Sequence, residues 1–98
     1  MKVSFREDAL ARLETDPAFT AGHQPAIVKA YRKRLNFIRQ AQDERDLYAW
    51  TSLHFEKLKG ARSHQHSIRL NDQWRLILEL EGEAPSKIIA IVAIEDYH

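Results

Sequence analysis

The last four residues of the chain bring together side chains that can transfer protons. Glu95, Asp96, Tyr97 and His98 supply carboxylates, a phenol and an imidazole in succession. They follow the run from Lys87 to Ile94, which is apolar at both alternating positions, as is typical of strands covered on both faces. We therefore predict a central strand that aims these polar groups. The alternative is a frayed terminus.

The alternation of apolar and polar residues before this strand predicts a β-hairpin. It runs through residues 66–70 and 73–80, with a turn signal at Asn71-Asp72. A loop of only these two residues would put apolar and charged residues on the same face. A three-residue loop, 71–73, makes one face wholly apolar, so we predict that register.

The predicted register places Arg69 opposite Arg75 on neighbouring strands. Like charges directly opposite each other are destabilising unless an anion lies between them. A phosphate would serve, and so would a carboxylate such as Asp96 or Glu56. These two arginines are therefore the residues that the pattern alone most favours as functional.

The rest of the chain predicts one α+β domain, residues 1–98, with the element order β-α-α-β-β-β. Val3 and Phe5 indicate a short first strand, and residues 7–15 a short helix. Pro25 opens the longest helix, which is expected to run to about Asp43. Residues 46–59 have no clean period and predict an irregular connection with a helical turn, and residues 81–85 predict the turn into the final strand. We expect a twisted sheet of about four strands packed on the two N-terminal helices.

The long helix has an apolar stripe that should lie on the sheet, at Ile27, Tyr31, Leu35 and Ile38. Its other faces carry the following polar residues: Arg32, Lys33, Arg34, Arg39 and Gln40. We expect a solvated face here, with a partner or RNA-backbone patch as the alternative. Trp50 and Trp74 are expected in the core rather than as stacking platforms.

Composition narrows the class of protein. The chain has 98 residues, no Cys and a formal net charge of +1. It lacks the apolar run of a signal peptide and any stretch that could span a bilayer, so we expect a soluble, cytoplasmic protein without a membrane partner. His64 and His66 are expected to share one face of a strand at ligand-like spacing, but there is no evident third ligand, so neither a metal nor a cofactor is expected.

Three segments together resemble a known family. Leu58-Lys59-Gly60, residues 65–75 and the final Asp96-Tyr97-His98 are similar to the HigB-type toxins of the RelE/ParE toxin–antitoxin superfamily. The resemblance implies a RelE-like fold and cleavage of mRNA in the ribosomal decoding site, where 16S rRNA would be contacted. It also implies a cognate HigA-like antitoxin with a helix-turn-helix domain.

The resemblance also implies roles for individual residues. Arg75 matches the family's arginine after the tryptophan, and Asp96, Tyr97 and His98 match its C-terminal catalytic residues. Lys59 matches the lysine before glycine and would bind phosphate, as would Arg69.

A second catalytic position remains open. Some relatives place a histidine three residues before the matching lysine, where this chain has Glu56, with His54 two residues earlier. Either residue could take that position, or neither. Lys57 could bind RNA phosphate or be a solvated partner of Glu56.

These residue types suit RNA cleavage without a metal. The reaction needs a base for the 2′-hydroxyl proton, an acid for the departing 5′-oxygen and cations around the phosphate. His98 is the first choice for acid or base, Asp96 could orient it or accept a proton, and Tyr97 could bond the phosphate or stack on a base. The alternative is a non-catalytic member that inhibits gyrase or only binds its antitoxin.

Overall fold

Five strands form one mixed sheet in the computed structural model, which describes residues 1–83 and 87–97. The strands are β1 (Lys2–Phe5), β2 (Glu56–Lys57), β3 (His66–Arg69), β4 (Trp74–Glu81) and β5 (Ile88–Asp96). Their order is β1-β5-β4-β3-β2; β1 is parallel to β5 and all other neighbours are antiparallel. The predicted turn at 81–85 lies partly outside the described residues.

Three α-helices precede β2: α1 (Asp8–Thr15), α2 (Pro25–Gln40) and α3 (Glu44–Ala49). The α+β class is confirmed, but the sheet has a fifth strand and the chain a third helix. Strand β2 lies within the segment 46–59 predicted to be irregular, and α3 overlaps the start of that segment, for which only a helical turn was predicted; a six-residue helix and a two-residue strand are too short to show a period. Within the described residues, no helix is long and apolar enough to cross a membrane.

Strand β5 lies between β1 and β4, so its central place in the sheet is confirmed. One sheet face packs on the helices in a single core, formed on the sheet side by Ile68, Leu76, Leu78, Ile89 and Ile91. The opposite face, here called the outer face, carries Ser67, Arg75, Ile77, Glu79 and Glu95. Residues 89–91 are buried, whereas residues 92–95 are only partly buried, so coverage on both sides holds for the first half of β5 alone.

The solvated face expected on α2 is confirmed in part: Lys33, Arg39 and Gln40 are exposed, whereas Arg32 and Arg34 are partly buried. Arg32 donates hydrogen bonds to the carbonyl oxygens of Leu13 and Asp16, at 2.9 and 2.8 Å. It thereby satisfies carbonyl groups at the C-terminal end of α1. Arg39 binds both carboxylate oxygens of Glu14 at 2.7 Å. These arginines therefore fasten α2 to α1.

The predicted hairpin register is confirmed: Ile68 pairs with Leu76 and Arg69 with Arg75. The loop is fixed by Asn71, whose Oδ1 accepts hydrogen bonds from the backbone N–H groups of Gln73 and Trp74, at 2.8 and 2.7 Å. A side chain that binds backbone groups two and three residues ahead stabilises a tight turn.

Replacing Asn71 by alanine should test this turn. Asn71→Ala removes the acceptor of two backbone N–H groups, so we expect a loss of about 1 kcal/mol in unfolding free energy, by analogy with the loss of a helix cap. That corresponds to a melting temperature lower by about 4–8 °C for a domain of this size, measured by circular dichroism. Asn36→Ala, at an exposed position on α2, is the control and should change stability by less than about 0.5 kcal/mol. Equal melting temperatures for the two variants would contradict this role of Asn71.

Candidate active site

The guanidinium of Arg75 lies beside the end of β5. Its central carbon is 4.2 Å from the centroid of the Tyr97 ring, in cation–π contact. Its Nε and Nη1 atoms are buried, and neither has a hydrogen-bond partner among the described residues. Leaving buried donors unsatisfied costs free energy, which a charge-assisted bond to an oxyanion would recover. Arg75 is therefore suited to bind an anion.

The hairpin loop holds the C-terminal residues next to Arg75. The backbone N–H of Tyr97 donates to the carbonyl oxygen of Gln73 at 2.7 Å. The side-chain amide of Gln73 donates to Oδ2 of Asp96 at 3.0 Å. The structure thus brings Arg75, Asp96 and Tyr97 together. His98 lies outside the described residues, and its catalytic role stays a prediction.

A pocket of about 250 Å³ opens on the outer face at this point. It combines apolar side chains with two arginines and two carboxylates, which is the mixture expected of a site for a polar, charged ligand. The lining residues are Leu58, Arg62, Ser67, Arg75, Ile77, Glu95, Asp96 and Tyr97.

Arg62, Ser67 and Glu95 line this pocket but were not predicted as site residues. Arg62 binds both carboxylate oxygens of Glu95, at 3.0 Å each. The sequence contained a signal for Glu95, because alternation along β5 places it on the same face as Arg75, its partner in β4. Arg62 belongs to a basic cluster with Lys57 and Lys59, but no local pattern shows which of these residues reaches the site.

Arg69 and Arg75 avoid their mutual repulsion in different ways. Arg69 forms an ion pair with Asp72, a residue of the hairpin loop that was not predicted as its partner. Its carbonyl oxygen accepts a hydrogen bond from Nε of Arg34 at 3.1 Å. Burial, reinforced by the positive charge of Arg69, lowers the pKa of Arg34. The Arg69 charge is thus neutralised locally, while Arg75 stacks on Tyr97.

The two candidates for the second catalytic position lie in different places. Glu56 pairs with Ser67 across β2 and β3, which puts its side chain on the outer face with the pocket. His54 precedes β2, is exposed and has a left-handed backbone with φ of 50°. Only Glu56 is placed by the sheet itself.

The two predicted phosphate-binding lysines are also separated. Lys57 pairs with His66, so its side chain lies on the face opposite to that of Glu56. Lys59 is exposed at the start of the turn Gly60–Arg62, which follows β2. The structure therefore does not bring Lys57 to the pocket, and it leaves Lys59 at the rim of the sheet.

His66 occupies an apolar setting. Its ring stacks on Phe55, with centroids 4.8 Å apart and planes at 12°. Burial lowers the pKa of His66; the charge of Glu44 opposes this shift and that of Lys57 reinforces it. His64 lies before β3, not on it as expected. In residues 1–83 and 87–97, no group of three His, Cys, Asp or Glu side chains could hold a metal ion.

The His66 environment predicts a pH dependence of stability. Because the folded-state pKa lies below the ordinary value of 6.5, the unfolded chain binds more protons in the window below that pH. Stability should therefore fall as the pH drops through about 6.5 towards the folded-state pKa. His66→Phe removes the titrating group, and its melting temperature should fall less between about pH 7 and pH 5.5 than that of the wild type. His64→Gln, at an exposed position, is the control, and an unchanged pH slope in His66→Phe would contradict the account.

Comparison with known proteins identifies the family and the fold of the chain. Residues 3–97 match the family model of the HigB-like toxins, described as the RelE-like toxin of the type II toxin–antitoxin system HigB. The chain is similar to a solved YoeB/ParE toxin from Agrobacterium tumefaciens, with a TM-score of 0.59, 16% identity and 100% of each chain covered. That structural likeness supports the fold alone. No curated protein matches the chain.

The fold and the family match define a small toxin of the RelE-like superfamily. Since the match covers nearly the whole chain, the chain belongs to the HigB-like toxin family. It is thus the toxin of a type II toxin–antitoxin system, and an antitoxin is its implied partner. The resemblance read from the sequence is confirmed. The matched region contains every predicted site residue except His98.

Proposed function

We propose that this toxin is a ribosome-dependent mRNA endonuclease that cleaves RNA by general acid/base catalysis without a metal. The observation that carries the proposal is the pair of buried, unpartnered donors on Arg75, next to a carboxylate and a phenol. An RNA phosphate carries negatively charged non-bridging oxygens, which accept charge-assisted hydrogen bonds from a guanidinium. Toxins of this family are generally ribonucleases, which supports the same activity.

The other arginines strengthen the argument, because each has a protein partner. Arg32 and Arg34 donate to backbone carbonyl oxygens. The remaining ones pair with carboxylates: Arg6, Arg12, Arg39, Arg45, Arg62 and Arg69. Arg75 makes no ion pair with a described residue, so its charge remains available for a ligand.

In the proposed reaction the ribose 2′-oxygen attacks the adjacent phosphorus and the bond to the 5′-oxygen breaks. A base removes the 2′-hydroxyl proton, an acid protonates the 5′-oxygen, and Arg75 binds the non-bridging oxygens as their charge grows. We assign proton transfer to His98, with Asp96 orienting it or accepting a proton, and Glu56 as a further candidate base. The products are a 2′,3′-cyclic phosphate and a 5′-hydroxyl.

The proposed macromolecular partners follow from the proposed cleavage of mRNA on the ribosome. mRNA would enter the pocket while it is held on the ribosome, with 16S rRNA contacting the protein at the decoding site. Three basic residues could contact an RNA backbone. Lys57 lies on β2, Lys59 follows β2, and Arg69 ends β3. A HigA-like helix-turn-helix antitoxin is the proposed form of the antitoxin.

Arg75→Ala should lower the rate of mRNA cleavage by about 100-fold or more, because it removes the donors aimed at the phosphate. Arg75→Lys should retain only part of the activity, since an ammonium cannot form the two-pronged bond. Cleavage is measured by primer extension in a translation reaction with purified ribosomes. The control is Arg45→Ala, whose side chain is 88% exposed, pairs with Asp43 and does not line the pocket. Wild-type cleavage by a folded Arg75→Ala protein would contradict the assignment.

Variants of Tyr97 separate its ring from its hydroxyl. Tyr97→Phe keeps the face on which Arg75 stacks, so we expect cleavage within about threefold of the wild type. Tyr97→Leu loses the cation–π contact and should be about tenfold slower. The same ribosomal assay measures both. If Tyr97→Phe were as slow as Tyr97→Leu, the hydroxyl and not the stacking would be the functional part.

Induction of the toxin in cells distinguishes the nuclease from a gyrase inhibitor. We expect growth arrest with new 5′-hydroxyl ends inside translated messages and intact DNA. Accumulated DNA breaks without new RNA ends would instead indicate that the chain acts by binding gyrase.

A further inference from the structure

Glu95 is placed where it should pair with Arg75, yet it binds a different arginine. The two residues are direct partners across β4 and β5, so their side chains are neighbours on the outer face. Opposite charges in this position normally attract. Both carboxylate oxygens of Glu95 are instead bonded to Arg62, at 3.0 Å each, and Nε and Nη1 of Arg75 have no partner among the described residues.

Arg62 is held in this position by further contacts. Its Nε donates to Oε1 of Gln65 at 3.0 Å, and the amide of Gln65 donates to Glu79 at 3.0 Å. Arg6 binds the other oxygen of Glu79 at 2.8 Å. Since each polar group in this row is bonded to the next, the guanidinium of Arg62 is oriented before any ligand arrives.

The backbone also directs Arg62 to the outer face. Arg62 ends the turn Gly60–Arg62, and Gly60 has φ of +66°, a left-handed conformation that favours glycine. This turn lets a residue from the β2–β3 connection reach a carboxylate that lies 33 positions further along the chain.

We propose that Arg62 is a positioning residue that keeps Arg75 free by occupying Glu95. Without Arg62, the carboxylate of Glu95 turns to Arg75 and takes the donors that would bind phosphate. With Arg62 in place, the charges of Arg62 and Glu95 cancel, and Nε and Nη1 of Arg75 keep their hydrogen-bonding capacity beside the pocket that Arg75 lines. The inference rests on the proposed function only for the identity of the anion as an RNA phosphate.

The test uses the whole chain and inorganic phosphate, followed through the Arg75 Nε–H signal in NMR spectra. In Arg62→Ala, without phosphate, this signal should show slower exchange with water, because the proton is now bonded to Glu95. Phosphate binding should weaken by about tenfold, the typical effect of occupying a charged donor. In Arg62→Ala combined with Glu95→Gln, both the exchange rate and the affinity should return to within about twofold of the wild type.

A charge-matched control separates this effect from general electrostatics. Arg62→Ala combined with Glu81→Gln has the same net charge as the rescuing pair, but Glu81 binds Arg6 and does not line the pocket. Phosphate binding should remain weak in this variant. Wild-type affinity in Arg62→Ala, or weak binding that persists in the Glu95→Gln double variant, would overturn the proposal.

The readout is independent of nuclease activity. If phosphate binding follows the expected pattern but the wild type does not cleave mRNA, the proposed function fails and the role of Arg62 stands. If the wild type cleaves mRNA but the double variant does not regain phosphate binding, the role of Arg62 fails alone.

Discussion

The pairing register between β3 and β4 is the constraint on which the site depends. Shifting it by one residue would send Arg75 to the core side and Leu76 to the outer face. The register is fixed from both ends: the apolar residues Ile68 and Leu76 face each other in the core, and the Asn71 side chain closes the loop. The same loop binds the C-terminal residues through Gln73. One hairpin therefore places both the cation and the groups beside it.

The charged side chains near the outer face form ion pairs with one another. The formal net charge of +1 conceals many local ion pairs, and most of these are partly exposed, so each contributes little to stability. These ion pairs matter here because they determine which arginines already have a carboxylate partner. Asp72 pairs with Arg69 and Glu95 with Arg62, and Nε and Nη1 of Arg75 have no acceptor among the described residues. A guanidinium with unpartnered hydrogen-bond donors is suited to bind the phosphate of a polyanionic substrate.

The sequence predicted what short-range patterns encode. Alternation identified β3, β4 and the central place of β5, and it predicted the opposition of Arg69 and Arg75. It predicted only a helical turn near α3 and missed β2, because each is too short to show a period. It did not predict the partners that Arg32 and Arg39 find on α1, which become visible only once the helices pack. Trp50, expected in the core, is 36% exposed and lies edge-on against Phe37.

The residues of the candidate site were likewise predicted from the sequence only in part. Arg75, Asp96 and Tyr97 could be named from their resemblance to the HigB-type toxins, and the structure brings them together. The contact between Arg62 and Glu95 joins residues far apart in the chain, so it depends on strand order, which no local pattern fixes. Lys57 lies away from the pocket because alternate residues of β2 face opposite sides of the sheet, and this depends on how β2 pairs with β3.

The most direct measurement is a crystal structure of the toxin with a short RNA that carries a 2′-O-methyl group at the cleavage position. The account predicts that a non-bridging oxygen of the scissile phosphate lies about 3 Å from Nε or Nη1 of Arg75. A phosphate bound elsewhere on the molecule, with these two donors still unoccupied, would contradict it.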